Sequence, residues 1–416
     1  MSIKKIVKNV LGEQWYNSAV MQKKRLLATY DTLLRKNGRI IFCDDREYRL
    51  LSLKNQHVFF GYYDLEPYDI DRKRLLAHVV DRYANPLNDK AKIVYFDDND
   101  CVNEIEETQA WCWQQGARLR WNPKNNDEVF FNDVSKGKYV LKCTNIKSKK
   151  SRVISDAVYD ITNDAKSGIT LNFSRLQHLR PGYGYSIIPD NTMFEKAPKQ
   201  DGVFHVDLTT GEKTILYSLS ELAESVNGDY FHYINHICIS PDNRKFIFFH
   251  LWTKGPGKPW YTRLYVSDIN GKRLKLLDEK HVVSHYCWQN NSEIIVTTSE
   301  GFYYRLNVEN ASMKRIASDW LNVDGHPSIV CKSVLTDTYP QKDRTQRIYT
   351  TGIDGSNGKQ VLSVYSEPTL FGEKRCDLHP RVTDNRIVTI DTTVRNGVRS
   401  VLTFELKRED LENGKS

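Results

Sequence analysis

From residue 39 to about 408 the apolar residues fall into short runs of strand length, each bounded by turn-forming residues. Ile239-Ser240-Pro241-Asp242-Asn243, for example, is a hairpin turn that leads into the run Lys245 to His250. Before residue 39 the spacing changes. Ile6, Val10, Trp15, Val20, Leu26, Leu27, Tyr30 and Leu33 recur at helical intervals among Lys, Arg and Gln. The chain therefore divides into an N-terminal helical extension (1–38), a β-rich body (39–408) and a polar tail (409–416).

The body repeats. Turns like the one at Ile239 recur at Leu65-Glu66-Pro67, Trp121-Asn122-Pro123, Ile161-Thr162-Asn163-Asp164, Trp288-Gln289-Asn290, Ile329-Val330-Cys331 and Val382-Thr383-Asp384, which makes seven copies. Repeats of about 40 to 50 residues with several short strands each signal a propeller. The predicted fold is thus all-β, a seven-bladed β-propeller with an N-terminal helical extension. Three residues before each turn the aligned position holds Tyr62, Arg118, Val158, His236, His285, His326 and His379. These lie 40 to 56 residues apart, except for 78 between the third and fourth. Innermost strands line a propeller's channel, so equivalent positions form a ring. Four consecutive blades then aim histidine at one point. The ends of the second strands, His78, Asp133, Asn172, His250, Thr298, Asp337 and Asp391, are expected at the same end of the channel.

Imidazoles converging from separate strands can ligate a divalent metal of the Mn or Zn type. His285, His326 and His379, from adjacent blades, are the first candidates, with His236 as a fourth ligand or a base. The same residues could instead hydrogen-bond a sugar. Cys238 and Cys287 sit one step further along their strands, as a softer metal site or as small buried fillers. The long interval holds an insertion, Leu171 to Tyr185 and beyond, that leaves the channel end of a second strand and should fold over the ring. In it Arg180 offers a cation for a carboxylate, and Tyr183 and Tyr185 offer phenols for proton donation or sugar stacking, or serve as structural aromatics. The loop Thr336 to Thr345, with Asp337 and Arg344, could orient ring histidines or pair internally.

Charge and cysteine content narrow the function. Lys and Arg number 60 against 52 Asp and Glu, a formal +8, which suits an anionic ligand such as an acidic glycan and equally a solvated surface. No nucleic-acid motif is present. The eight cysteines lack the clustering of a disulfide scaffold and read as reduced thiols. The start is basic without a continuous apolar run, so a cytoplasmic location is expected. The helical extension either packs on the propeller or offers a basic amphipathic surface to a membrane or partner.

The segments Phe60-Gly61-Tyr62-Tyr63-Asp64, Trp111 to Gly116, Arg180 to Tyr185, Ser284 to Trp288, Asp324-Gly325-His326 and Cys376 to Pro380 resemble bacterial propeller proteins similar to oligogalacturonate lyase and, more loosely, the ulvan lyases. The resemblance spans about residues 55 to 400. It implies β-elimination at a uronic acid within a glycan, with a histidine-held, Mn-type metal on the substrate carboxylate. On it, His285, His326 and His379 match the metal histidines, His236 the base and Arg118 a carboxylate partner. The glutamine ligand has no secure match, and Gln115 lies near the channel in another blade. The ulvan-type arrangement of a His pair with Tyr and Arg points to His236, His250, Tyr183 and Arg180. Tyr62, Gln115, His78, Tyr185 and Arg344 complete the candidate substrate contacts. A non-catalytic glycan-binding or scaffold propeller, or a metal-dependent glycoside hydrolase or isomerase, would want a similar face.

Overall fold

The structure is a computed structural model, and it describes residues 13–34, 36–395 and 397–411. Seven antiparallel sheets follow one another around a central channel. Numbered from the chain start, blades 1 to 5 run over residues 56–108, 120–156, 160–218, 231–278 and 283–315, each built from consecutive strands. Blades 6 and 7 are completed from the other end of the chain. Ile40–Phe42 pairs with Lys359–Tyr365 as the outermost strand of blade 6, and Tyr48–Leu51 pairs with Val398–Glu405 as that of blade 7. The segment after the helical extension thus closes the wheel, leaving no gap between last and first blades.

Middle strands carry apolar side chains on both faces because each blade is stacked between two others. In Lys245–Thr253 of blade 4 every residue from Phe246 to Leu251 is buried. Phe246 and Phe248 pack with Ile294 and Val296 of blade 5 in one core cluster. That is why the sequence shows runs here rather than a clean period of two. The innermost strand of blade 1 is an exception. It is interrupted between Gln56–Phe59 and Tyr68–Asp69, both of which pair with Arg74–Asp81. The intervening loop carries Tyr62, Tyr63 and Asp64 into the channel.

The helical extension is present as one helix, Glu13–Leu33 (α1), with the expected positions Ile6 and Val10 outside the described residues. Asp31, fully buried, ties it to the propeller through Arg344 and by accepting from the Tyr365 hydroxyl at 3.3 Å. Lys24 stacks over the Phe371 ring at 4.6 Å. The apolar positions read from the sequence split: Val20 and Leu27 are half-buried, whereas Leu26, Tyr30 and Leu33 face solvent. No helix among the described residues is long and apolar enough to cross a membrane.

Candidate functional site

The ring histidines of blades 4 to 7 meet on the channel axis. The His285 and His326 rings lie 4.1 Å apart between centroids, and His326 and His379 4.3 Å. His236 joins them through two tyrosines of the interrupted blade 1 strand. The Tyr62 ring stands 5.0 Å from both His236 and His379, and the Tyr63 ring 5.4 Å from His236 and 5.2 Å from His326. All six side chains are buried. Tyr63 is fixed by donating to the Tyr286 carbonyl at 2.9 Å and accepting from the Tyr286 N–H at 3.0 Å.

Each of the three first-choice histidines has one ring nitrogen occupied from outside the cluster. His326 Nδ1 lies 2.9 Å from Asp337 Oδ1, and the same carboxylate accepts from the backbone N–H groups of His326 and His379. His285 Nδ1 faces Asp324 at 3.3 Å, and His379 Nδ1 faces the Gly61 carbonyl at 2.8 Å. Tethering Nδ1 in this way orients Nε2 toward the shared space, the arrangement metal-binding histidines use. His379 Nε2 is buried without a partner. Burial alone would lower the pKa of His326, but Asp337 outweighs it and the net direction is up. Burial lowers His285 and, far more, His379, with the His326 ring adding to both.

His236 differs. Both of its ring nitrogens are buried without hydrogen bonds. Its ring lies flat on Tyr286 at 4.1 Å, and Asp64 is 3.9 Å from its Nε2. Burial, then the neighbouring His285, push its pKa well below the ordinary value, so the imidazole is neutral at neutral pH. The backbone explains how it reaches the axis. His236, His379 and Arg118, at equivalent positions of blades 4, 7 and 2, all have left-handed backbones with φ of 47°, 48° and 54°. Such a conformation costs a non-glycine residue about 1–2 kcal/mol and persists only where surroundings enforce it. At His236 the ladder to the next strand skips between Asn235 and Cys238, and the Tyr286 hydroxyl donates to the His236 carbonyl.

Asp377, which sequence reasoning missed, adds a carboxylate to the ring. Among the described residues, one group of three potential metal-ligand side chains lies within 4.8 Å of one another: His326, Asp377 and His379. Asp377 stands two residues before His379, and Arg375 holds its carboxylate with two bonds of 2.7 Å. Tyr63 was also missed, since it follows Tyr62 directly and a regular strand would turn it away. Two nitrogens and a carboxylate, all buried, with an unpartnered His379 Nε2, fit a divalent cation of the Mn or Zn kind.

The insertion does cover this end. Asn172 caps the short helix Phe173–Leu179 by accepting from the Arg175 N–H, and the following turn brings Tyr183 to 6.4 Å from Tyr62. Arg180 lies over the rings of Tyr183 and Trp260 at 4.6 and 4.7 Å, and no carboxylate of the described residues pairs with it. Tyr339 faces His326 at 5.5 Å and carries Arg375 over its ring at 4.6 Å. The cavity beneath Arg180, bordered by Tyr62 and Asn235, measures only about 10 Å³. A roomier cavity of about 610 Å³, walled by Asp64, Cys238, Cys287 and Pro241, opens at the opposite end, where first and second strands join.

Other candidates go elsewhere. Arg118 is saturated: it forms a two-bonded pair with Asp64 at 3.0 and 2.8 Å and donates to the Tyr159 carbonyl. Gln115 donates to the Tyr159 hydroxyl at 2.8 Å, close to the channel. His78 stacks on Phe59 and accepts from the Ala117 N–H, and His250 stacks on His232, so neither has a ring histidine as a neighbour. The expected convergence of the second-strand ends therefore holds for Asp337 alone among their contacts to the histidines. Tyr185 is packed flat on Phe173 with its hydroxyl bonded to Asn132. Arg344 anchors α1 instead of facing the ring.

Fold and site define a closed seven-bladed propeller with a histidine cluster under an insertion at one end of its channel. Neither a family model nor a curated protein matches the sequence. Solved structures are similar in fold. An oligogalacturonate lyase in complex with manganese superposes with a TM-score of 0.63 at 14% identity, over 90% of this chain and 100% of that one. The oligogalacturonate lyase from Vibrio parahaemolyticus gives 0.58 at 11% identity, over 89% and 99%. The tricorn protease gives 0.50 at 11%, over 87% of this chain and 35% of that one. At these identities the likeness is one of fold, and it bears out the resemblance read from the motifs as a propeller of the oligogalacturonate lyase kind.

Proposed function

We propose that the histidine cluster is the active site of a lyase that cleaves uronate-containing glycans by β-elimination. The observation that carries it is the tethering of His285, His326 and His379 through Nδ1, beside Asp377 and below Arg180, whose described partners are phenols and aromatic rings rather than a carboxylate. A structurally similar lyase is described with manganese, and a divalent ion held by His326, His379 and Asp377, with His285 adjacent, would neutralise charge on a substrate carboxylate. Arg180 at the rim would bind that carboxylate. His236, neutral and with free ring nitrogens, then takes the proton α to the carboxylate. The electrons form the C4–C5 double bond, the C4–O bond breaks, and the leaving oxygen takes a proton from a rim phenol, Tyr183 or Tyr339. The eight free thiols accord with a reducing, cytoplasmic compartment and hence with oligosaccharides as substrates.

The test is incubation of purified protein with acidic oligosaccharides while following the absorbance of the unsaturated uronate, with and without chelator. Chelator-sensitive product supports the proposal; no product across galacturonate, glucuronate and iduronate substrates contradicts it. The rim rings of Tyr183, Trp260 and Tyr339 also suit a second reading, glycan binding without turnover, which affinity without product would select. Release of a fragment heavier by one water would indicate hydrolysis instead.

A further inference from the structure

Helix α1 presents an apolar strip that the propeller does not cover. Leu26, Tyr30 and Leu33 lie one turn apart on one face and are 71%, 54% and 77% exposed. Lys23 and Arg25 flank the strip and are exposed as well. The opposite face is the docked one, through Asp31, Lys24 and the half-buried Val20 and Leu27. The sequence around the helix is charged to match. Residues 1–36 contain eight Lys and Arg against Glu13 and Asp31, so +6 of the formal +8 resides in them. The other 380 residues are close to neutral.

An exposed leucine strip with a basic flank is what an interfacial helix uses to bury its apolar face at the headgroup boundary while cations face acidic lipid. We propose that α1 docks the protein on an anionic bilayer. The contacts of α1 fix what would lie beside the lipid. Lys24 rests on Phe371, which opens the turn Gly372–Lys374, and Glu373 of that turn packs against Gly182 of the insertion. Arg375 follows at the rim of the histidine cluster. Arg344, the partner of Asp31, belongs to the same loop as Tyr339. Docking through α1 therefore holds the insertion end of the channel, with the mouth of the cluster, next to the membrane.

Co-sedimentation with phosphatidylcholine vesicles, with and without phosphatidylglycerol, tests this on the full chain. Binding is expected only to the phosphatidylglycerol vesicles and should weaken as salt rises. Lys23→Glu and Arg25→Glu should each reduce it roughly fivefold or more, about one basic residue's contribution at a charged surface. Leu26→Glu with Leu33→Glu should abolish it. These positions are exposed, so an unchanged thermal midpoint accompanies the loss. Wild-type protein remaining unbound to anionic vesicles overturns the proposal, as does undiminished binding by the leucine double variant. Capture by a soluble polyanion without vesicle binding overturns it too, and points to an anionic glycan on this face. None of these outcomes depends on lyase activity.

Discussion

Blades 1 to 3 and blades 4 to 7 use the same ring position in opposite ways. In the first group it holds Tyr62, Arg118 and Val158, and the polar groups of Arg118 and of the Val158 backbone are satisfied internally. Arg118 is locked to Asp64 and to a carbonyl, and the Val158 backbone is bonded on both sides by the Asn132 amide. In the second group it holds four histidines, each left with at least one ring nitrogen lacking a hydrogen bond. Buried polar groups are normally paired, and leaving one unpaired costs stability. One half of the wheel is built to hold the channel together, and the other keeps donors in reserve.

The sharpest way to break that comparison is to cut the paired half. Removing Asp64 leaves the fully buried Arg118 guanidinium without its partner, and loss of one member of a buried pair costs about 3–5 kcal/mol. Asp64→Ala should lower the denaturant midpoint accordingly; a change under about 1 kcal/mol would show that the pair is not holding the channel.

A bond-saturated histidine outside the cluster gives the next effect. His57 faces the Arg82 carbonyl with Nε2 and accepts the Arg399 N–H on Nδ1, so the fold requires it neutral. Burial, reinforced by Arg399, pulls its pKa to about 4. With the folded value below the unfolded one, the unfolded chain binds the extra proton, and stability falls as pH drops from about 6.5 toward 4. The full span is worth up to about 3 kcal/mol. Chemical denaturation at neutral pH and near pH 4.5 should show this loss in the wild type and a smaller one in His57→Gln; equal slopes would contradict it.

The reserved half predicts a small change of opposite sign. His236 pairs neither nitrogen, so His236→Phe should leave stability unchanged or raise it by up to about 1 kcal/mol while abolishing turnover. A marked destabilisation would mean that His236 is a structural residue.

The sequence made the four ring histidines legible because seven similar turns fix a common register, and one shared position in that register is sufficient to bring distant side chains together. It could not show Tyr63, because both tyrosines reach the channel only where the blade 1 strand is interrupted, a break with no strong composition cue. Asp377 was hidden for a related reason: it lies before the strand Arg381–Thr383, in a stretch whose path is set by Arg375 and the insertion rather than by a ladder. Asp337 and Arg344, at the two ends of one segment, part ways: only the first does what was foreseen for its charges, and the second pairs outside the loop. Asp337 orients His326 and His379, while Arg344 pairs with Asp31 across 313 residues, a contact local patterning cannot reveal. The left-handed backbones of His236 and His379 were equally invisible: histidine adopts positive φ more often than most residues, yet only a small minority of histidines do so and nothing local in the sequence marks these two.

Metal analysis of the purified protein tests the central claim most directly, comparing the wild type with His326→Ala and with His250→Ala, which lies outside the cluster. The account predicts about one divalent ion per chain in the wild type and in His250→Ala, and its loss in His326→Ala with the fold retained. Metal bound equally by all three proteins, or by none after supplementation with manganese and zinc, would contradict it.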